Sequence, residues 1–156
     1  IASPKKEVIE KISRTYAGRA SASPVVNFLI SMLRLGLKGY EGLIQEQQEN
    51  HKLLAQKLLD FAEKVDERIL DIFNPVAVVM TLNNLEKDQL YALGGALYNL
   101  RVTGPRVSDP TQKRFGTCTD NYPYPYIVMN AAIGCSQKDI ITAVERLEKA
   151  YQQVTE

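Results

Sequence analysis

The chain has 156 residues, 45% of them apolar, which is enough for a packed core and too many for a disordered segment. Its 19 Lys+Arg balance 18 Asp+Glu to a net charge of +1, so no molecule-wide field serves nucleic acid and any such contact must be a local patch. Cys118 and Cys135 have no metal-ligand spacing and fit a reduced, intracellular protein, and no apolar run approaches the ~20 residues of a membrane span.

The chain opens on IASPKK, without Met and without a signal peptide, as though cut from something longer. After Pro4 the spacing of Val8, Ile9, Ile12 and Tyr16 predicts a helix, which Gly18 ends. Ser23-Pro24 predicts the next helix start, with Ser23 at the N-cap and Pro24 in the first turn. The following run, VVNFLISMLRLGL, is apolar nearly all the way round and needs cover on most sides, with Gly36 and Gly39 marking a kink or break. From Tyr40 to about Glu67 the helical period continues through Leu43, Ile44, Leu54, Leu58, Phe61 and Val65. At ~1.5 Å per residue such a helix spans roughly 40 Å, a length suited to linking two bodies.

Past FNP the period changes. VAVVMTL (76–82) reads as a strand, and LEKDQLYALGGALYNL (85–100) as a helix with Leu85, Leu90, Leu93, Leu97 and Leu100 inward. RVTGPRVS reads as a turn with a short strand, TQKRFGTCTDNYPYPY as loop, and YIVMNAAIG as another strand. The terminal helix has Ser136 as N-cap and Ile140, Ile141, Val144, Leu147, Ala150 and Tyr151 on its inner face. The second half is therefore an α+β unit, a small antiparallel sheet covered by helices.

Arg19 stands out, a lone cation in YAGRASASP. Small neighbours let an anion reach the backbone, a helix start supplies N–H donors, and the guanidinium offers a bidentate fork for phosphate; the alternative is a solvated arginine in a turn. Arg106 follows Gly104-Pro105, whose turn projects it rigidly toward a base or phosphate, or merely into solvent. KRF, with Arg114, adds charge and an aromatic ring close by in sequence. The tyrosines of NYPYPY read as packing. His51 has no second histidine for a metal site or triad, and neither cysteine has the basic neighbour of a reactive thiolate.

GRASASP, NP before MTL, TGPRV, DNYPYPY, NAAIG and RLEKA occur in this order. In this the chain resembles the C-terminal portion of the O-phosphoseryl-tRNA(Sec) selenium transferase (SepSecS) family. The resemblance implies an aspartate-aminotransferase-like, fold type I enzyme that uses pyridoxal phosphate. Its fold class here would be the C-terminal α+β domain. Residues 1–38 would end the large cofactor domain, 39–68 would be the connecting helix, and 69–156 the small domain.

The implied reaction converts O-phosphoseryl-tRNA(Sec) to selenocysteinyl-tRNA(Sec) with selenophosphate, and the cofactor stabilises the carbanion that expels phosphate. By the same resemblance, Arg19, supported by Gly18, Ser21 and Ser23, binds the substrate phosphate. Arg106, with Arg114 nearby, contacts the tRNA acceptor end. The resemblance further implies a cytoplasmic homo-oligomer, a tetramer when full length. The cofactor lysine would lie upstream of Ile1, since Lys5, Lys6 and Lys11 do not match it, so this chain alone would be inactive. The segment from Val107 to Lys113 is shorter than the resemblance implies. Two other readings stay open: another fold type I enzyme, an aminotransferase or desulfurase relative using Arg19 on a carboxylate, and a non-catalytic RNA-binding module using Arg106.

Overall fold

The computed structural model describes residues 3–15, 21–109 and 122–156. The chain divides into two compact units, Ile1–Gly39 and Tyr40–Glu156. The first holds α1 (Lys6–Thr15) and the opening of α2 (Ser23–Lys64). Gly36, at φ 61 and ψ −178, breaks the geometry of α2, a conformation that glycine alone adopts without strain. Gly39 and Gly42 stay helical, so the long run begins just past Gly36 rather than at Tyr40.

The N-terminus of α2 corrects the expected cap. The Ala22 carbonyl accepts from Val26 N–H at 3.0 Å, which makes Ala22 the N-cap and moves Ser23 and Pro24 inside the first turn. The capping hydroxyl comes from one residue earlier, with Ser21 Oγ accepting from Ser23 N–H at 3.2 Å. At the other end the helix stops at Lys64, not Glu67. Glu67 N–H donates to the Ala62 carbonyl at 2.9 Å and Asp66 takes φ 56, the left-handed C′ residue of a Schellman turn.

In the second unit, β1 (Ala77–Thr81), β2 (Arg106–Ser108) and β3 (Tyr126–Asn130) form an antiparallel sheet in the order β1-β3-β2. The helices are the last part of α2, α3 (Lys87–Asn99) and α4 (Gln137–Thr155). Burial alternates along β3, whereas β1 is buried on both faces from Val78 to Thr81. Val78, Met80, Ile127 and Met129 enter the core, where they join Leu54, Leu58 and Phe61 of α2, Leu90, Leu93 and Leu97 of α3, and Val144 and Leu147 of α4. Phe61 and Tyr151 meet edge-to-face at 5.5 Å. Burial, and next the Glu67 carboxylate, push the Tyr151 phenol above its ordinary range.

Both later helices are capped by their own sequence. Ser136 Oγ accepts from Asp139 N–H at 3.2 Å while Asp139 Oδ2 accepts from Ser136 N–H at 2.9 Å, a reciprocal capping box. The Ser136 hydroxyl and amide hold the Asp139 carboxyl below its usual value. Gln89 accepts from Glu86 N–H at 2.8 Å and donates to the Val154 carbonyl at 2.9 Å, so it joins the start of α3 to the end of α4. Ile141, expected on the inner face of α4, is exposed instead, because the buried stripe runs through Ile140, Val144, Leu147 and Tyr151.

Candidate functional site

Three of the expected site residues, Gly18, Arg19 and Arg114, lie outside the described residues, as do 110–113 of the segment expected to be short. Ser21 and Ser23 are exposed at the start of α2, where Ser21 serves the cap described above.

Arg106 opens β2, immediately after Gly104-Pro105, and is exposed. Its position follows from register. Arg106 pairs with Val128, and Val128 with Val79. Directly opposed residues of antiparallel strands share a face, so these three form one row across the sheet. The neighbouring row, Val107, Ile127 and Met80, points into the core. A one-residue slip would exchange the rows and bury the guanidinium, so the apolar pattern of β3 fixes which way Arg106 faces.

The outer face carries an apolar groove of about 400 Å³, lined by Leu70, Ile72, Val79, Tyr126 and Val128 among others. Beside it Tyr122 packs edge-to-face on Tyr126 at 5.4 Å and on Tyr124 at 6.2 Å, and the Arg68 guanidinium lies 4.8 Å from the Tyr124 ring centre. These rings pack against one another, as the sequence led us to expect, and fix the chain entering β3.

The sheet is held on α2 by a polar seam that the sequence reading passed over. Gln47 Nε2 donates to the Pro75 and Ala131 carbonyls, both at 2.9 Å, and Asn50 Nδ2 to the Cys135 carbonyl at 2.5 Å. His51 Nε2 lies 3.2 Å from the Ala77 carbonyl, which can only accept, so this nitrogen carries the proton. His51 thus bridges α2 to the start of β1. The signal was present: Gln47, Asn50, Leu54, Leu58 and Phe61 form one buried stripe whose first members are polar. Among the described residues no group of three His, Cys, Asp or Glu side chains is placed to hold a metal ion, and no helix is long and apolar enough to cross a membrane.

Residues 1–152 match the family described as O-phosphoseryl-tRNA(Sec) selenium transferase, SepSecS. The enzyme of that name from Methanocaldococcus jannaschii is 48% identical over 142 residues, covering 90% of this chain and 32% of the relative. Its counterpart from Methanococcus maripaludis is 44% identical over 144 residues, covering 92% and 32%. A crystal structure of archaeal O-phosphoseryl-tRNA(Sec) selenium transferase superposes with a TM-score of 0.75 at 43% identity, covering 94% of this chain and 33% of that one. The chain therefore spans about a third of the length of the relatives it matches. Matched over residues 1–152 in sequence and over 94% of its length in structure, the chain belongs to the SepSecS family.

Proposed function

We propose that this chain is the C-terminal part of an enzyme that converts O-phosphoseryl-tRNA(Sec) to selenocysteinyl-tRNA(Sec), with selenophosphate as selenium donor. In this reading residues 1–38 end the large domain, 39–68 connect, and 69–156 form the small domain of a fold type I enzyme. That enzyme works as a cytoplasmic homo-oligomer, a tetramer. The observation that carries the reading is the placement of Arg106. It is an exposed cation at the mouth of a strand, set directly after the Gly104-Pro105 turn and fixed in facing by its register with Val128. Such a side chain reaches a base edge or phosphate at the tRNA acceptor end with little loss of conformational freedom. Arg19, flanked by Gly18 and the serines at 21 and 23, is assigned to the phosphate of phosphoserine.

Pyridoxal phosphate does not fit the described residues. An imine lysine must be sheltered from water, and no described lysine is buried; Lys5, Lys6 and Lys11 are all exposed. The cofactor of the full enzyme is therefore assigned to residues outside the described ones.

The test compares tRNAs differing only in the discriminator base, bound to the full-length enzyme with and without Arg106→Ala. We expect weaker binding with a base preference reduced by about 1–3 kcal/mol. Equal loss for every base would restrict Arg106 to phosphate contact. Unchanged binding would remove Arg106 from the interface.

A further inference from the structure

A cavity of about 370 Å³ opens on the helix-covered side of the second unit, between the end of α3, the turn leading into β2, and α4. Two arginines line it, Arg101 and Arg146, together with the hydroxyl-bearing Thr103 and Thr142. Val102 and Ile140, both buried, give it an apolar floor. Asp139 also contributes to the wall, but its Oδ2 already accepts from the Ser136 amide at 2.9 Å and hydroxyl at 2.7 Å. No ion pair or side-chain hydrogen bond engages either arginine among the described residues.

Arg101 is unusual in its backbone as well. Helix α3 ends in a Schellman turn, with Val102 N–H donating to the Leu97 carbonyl and Arg101 N–H to the Tyr98 carbonyl, both at 2.9 Å. Arg101 occupies the C′ position at φ 63. That position favours glycine, because a Cβ in the left-handed region is strained. An arginine kept there retains its side chain against a conformational preference, and the side chain lines the cavity.

The same turn joins this cavity to Arg106. Thr103, Gly104 and Pro105 form part of the cavity wall, and the next residue is the exposed Arg106 of β2. We infer that the cavity is a second RNA contact, in which Arg101 and Arg146 take a backbone phosphate of the strand whose base meets Arg106. The inference rests on the tRNA reading above. Guanidinium pairs match phosphate geometry, and threonine hydroxyls add neutral donors to it.

The experiment uses the full-length enzyme and an RNA minihelix reproducing the acceptor stem of tRNA(Sec) with its single-stranded 3′ end. Binding is measured across a salt series for wild type, Arg101→Gly, Arg146→Gln and Arg146→Lys, with thermal melting alongside. Arg101→Gly should weaken binding about tenfold at low salt, the loss of one charge-assisted contact. It should also lower the slope of log K against log salt by about 0.7–0.9. Its melting temperature should hold or rise, because glycine relieves the left-handed residue, so the weaker binding is not a folding defect. Arg146→Gln should repeat the binding loss, and Arg146→Lys should restore the salt slope. Wild-type affinity and slope in both Arg101→Gly and Arg146→Gln would overturn the cavity while leaving Arg106 and the proposed function intact. A wild-type enzyme that does not bind the minihelix would overturn both.

Discussion

At the scale of single residues, the two arginines singled out from sequence and the two found in the structure differ in how a reader meets them. Arg19 and Arg106 sit among glycine, proline and small residues, where a charged side chain has no packing reason to be. Arg101 sits in LRVTG, where nothing marks the left-handed conformation that glycine would have announced, and Arg146 looks like one more solvated position of an amphipathic helix. Local composition points to a candidate site on a turn, whereas a candidate site assembled across a helix end and another helix needs coordinates. For Arg19 the expected outcome follows from charge. Arg19→Ala in the full-length enzyme should abolish turnover of phosphoseryl-tRNA and leave tRNA affinity nearly unchanged. Arg19→Lys should rescue partly, keeping the charge and losing the fork. The loss should fall on phosphate expulsion, where charge on the departing group is greatest. Single-turnover phosphate release measures this, and release from Arg19→Ala at the wild-type rate would leave Arg19 a turn residue.

At the scale of elements, every helix and strand of the second unit was legible, the helices by their apolar period and the strands by short apolar runs between turn residues. Leu90, Leu93 and Leu97 give α3 its buried stripe, and the β-branched run before Thr81 gives β1. The misses are at ends. Ser23 has the look of the cap because serine before proline usually is, yet Ser21 supplies the hydroxyl two residues earlier. The end of α2 was placed late because Asp66 takes a conformation that glycine usually signals. The polar seam was missed for a different reason: a glutamine or asparagine on a long helix reads as solvent-facing until a strand end is laid across it. Gln47 saturates two carbonyls, those of Pro75 and Ala131, that flank the sheet. Gln47→Met keeps the volume and orphans both acceptors, so we expect a loss of about 1–3 kcal/mol in unfolding free energy, read by urea denaturation. An unchanged midpoint would mean that water satisfies the carbonyls and the seam does not hold the sheet.

At the scale of the whole molecule, the two units differ in how well they cover themselves. The core cluster runs from Leu54 to Tyr151 and lies entirely in the second unit, with both later helices and all three strands contributing. The opening of α2 has no such cover. Val25, Phe28, Leu33 and Leu37 are 71%, 66%, 76% and 75% exposed, and Leu29 and Ile30 are exposed beside them. The all-round apolar pattern of that stretch was plain in the sequence, but a pattern says only that cover is needed and not which surface supplies it. Sheltering one such side chain is worth roughly 1.5–3 kcal/mol, so four together make a strong drive toward association when no other surface is offered. The 156-residue chain in isolation should therefore self-associate, while a chain comprising Tyr40–Glu156 should remain monomeric and melt cooperatively. Phe28→Glu with Leu33→Glu should return the longer chain toward monomer without altering the melting of the second unit, whose core contains neither residue. Sedimentation velocity over a concentration series, with melting followed on the same samples, separates the outcomes. A longer chain that stays monomeric at every concentration would show that its exposed face is tolerated in water, and association of the shorter chain would move the sticky surface to the outer sheet groove instead.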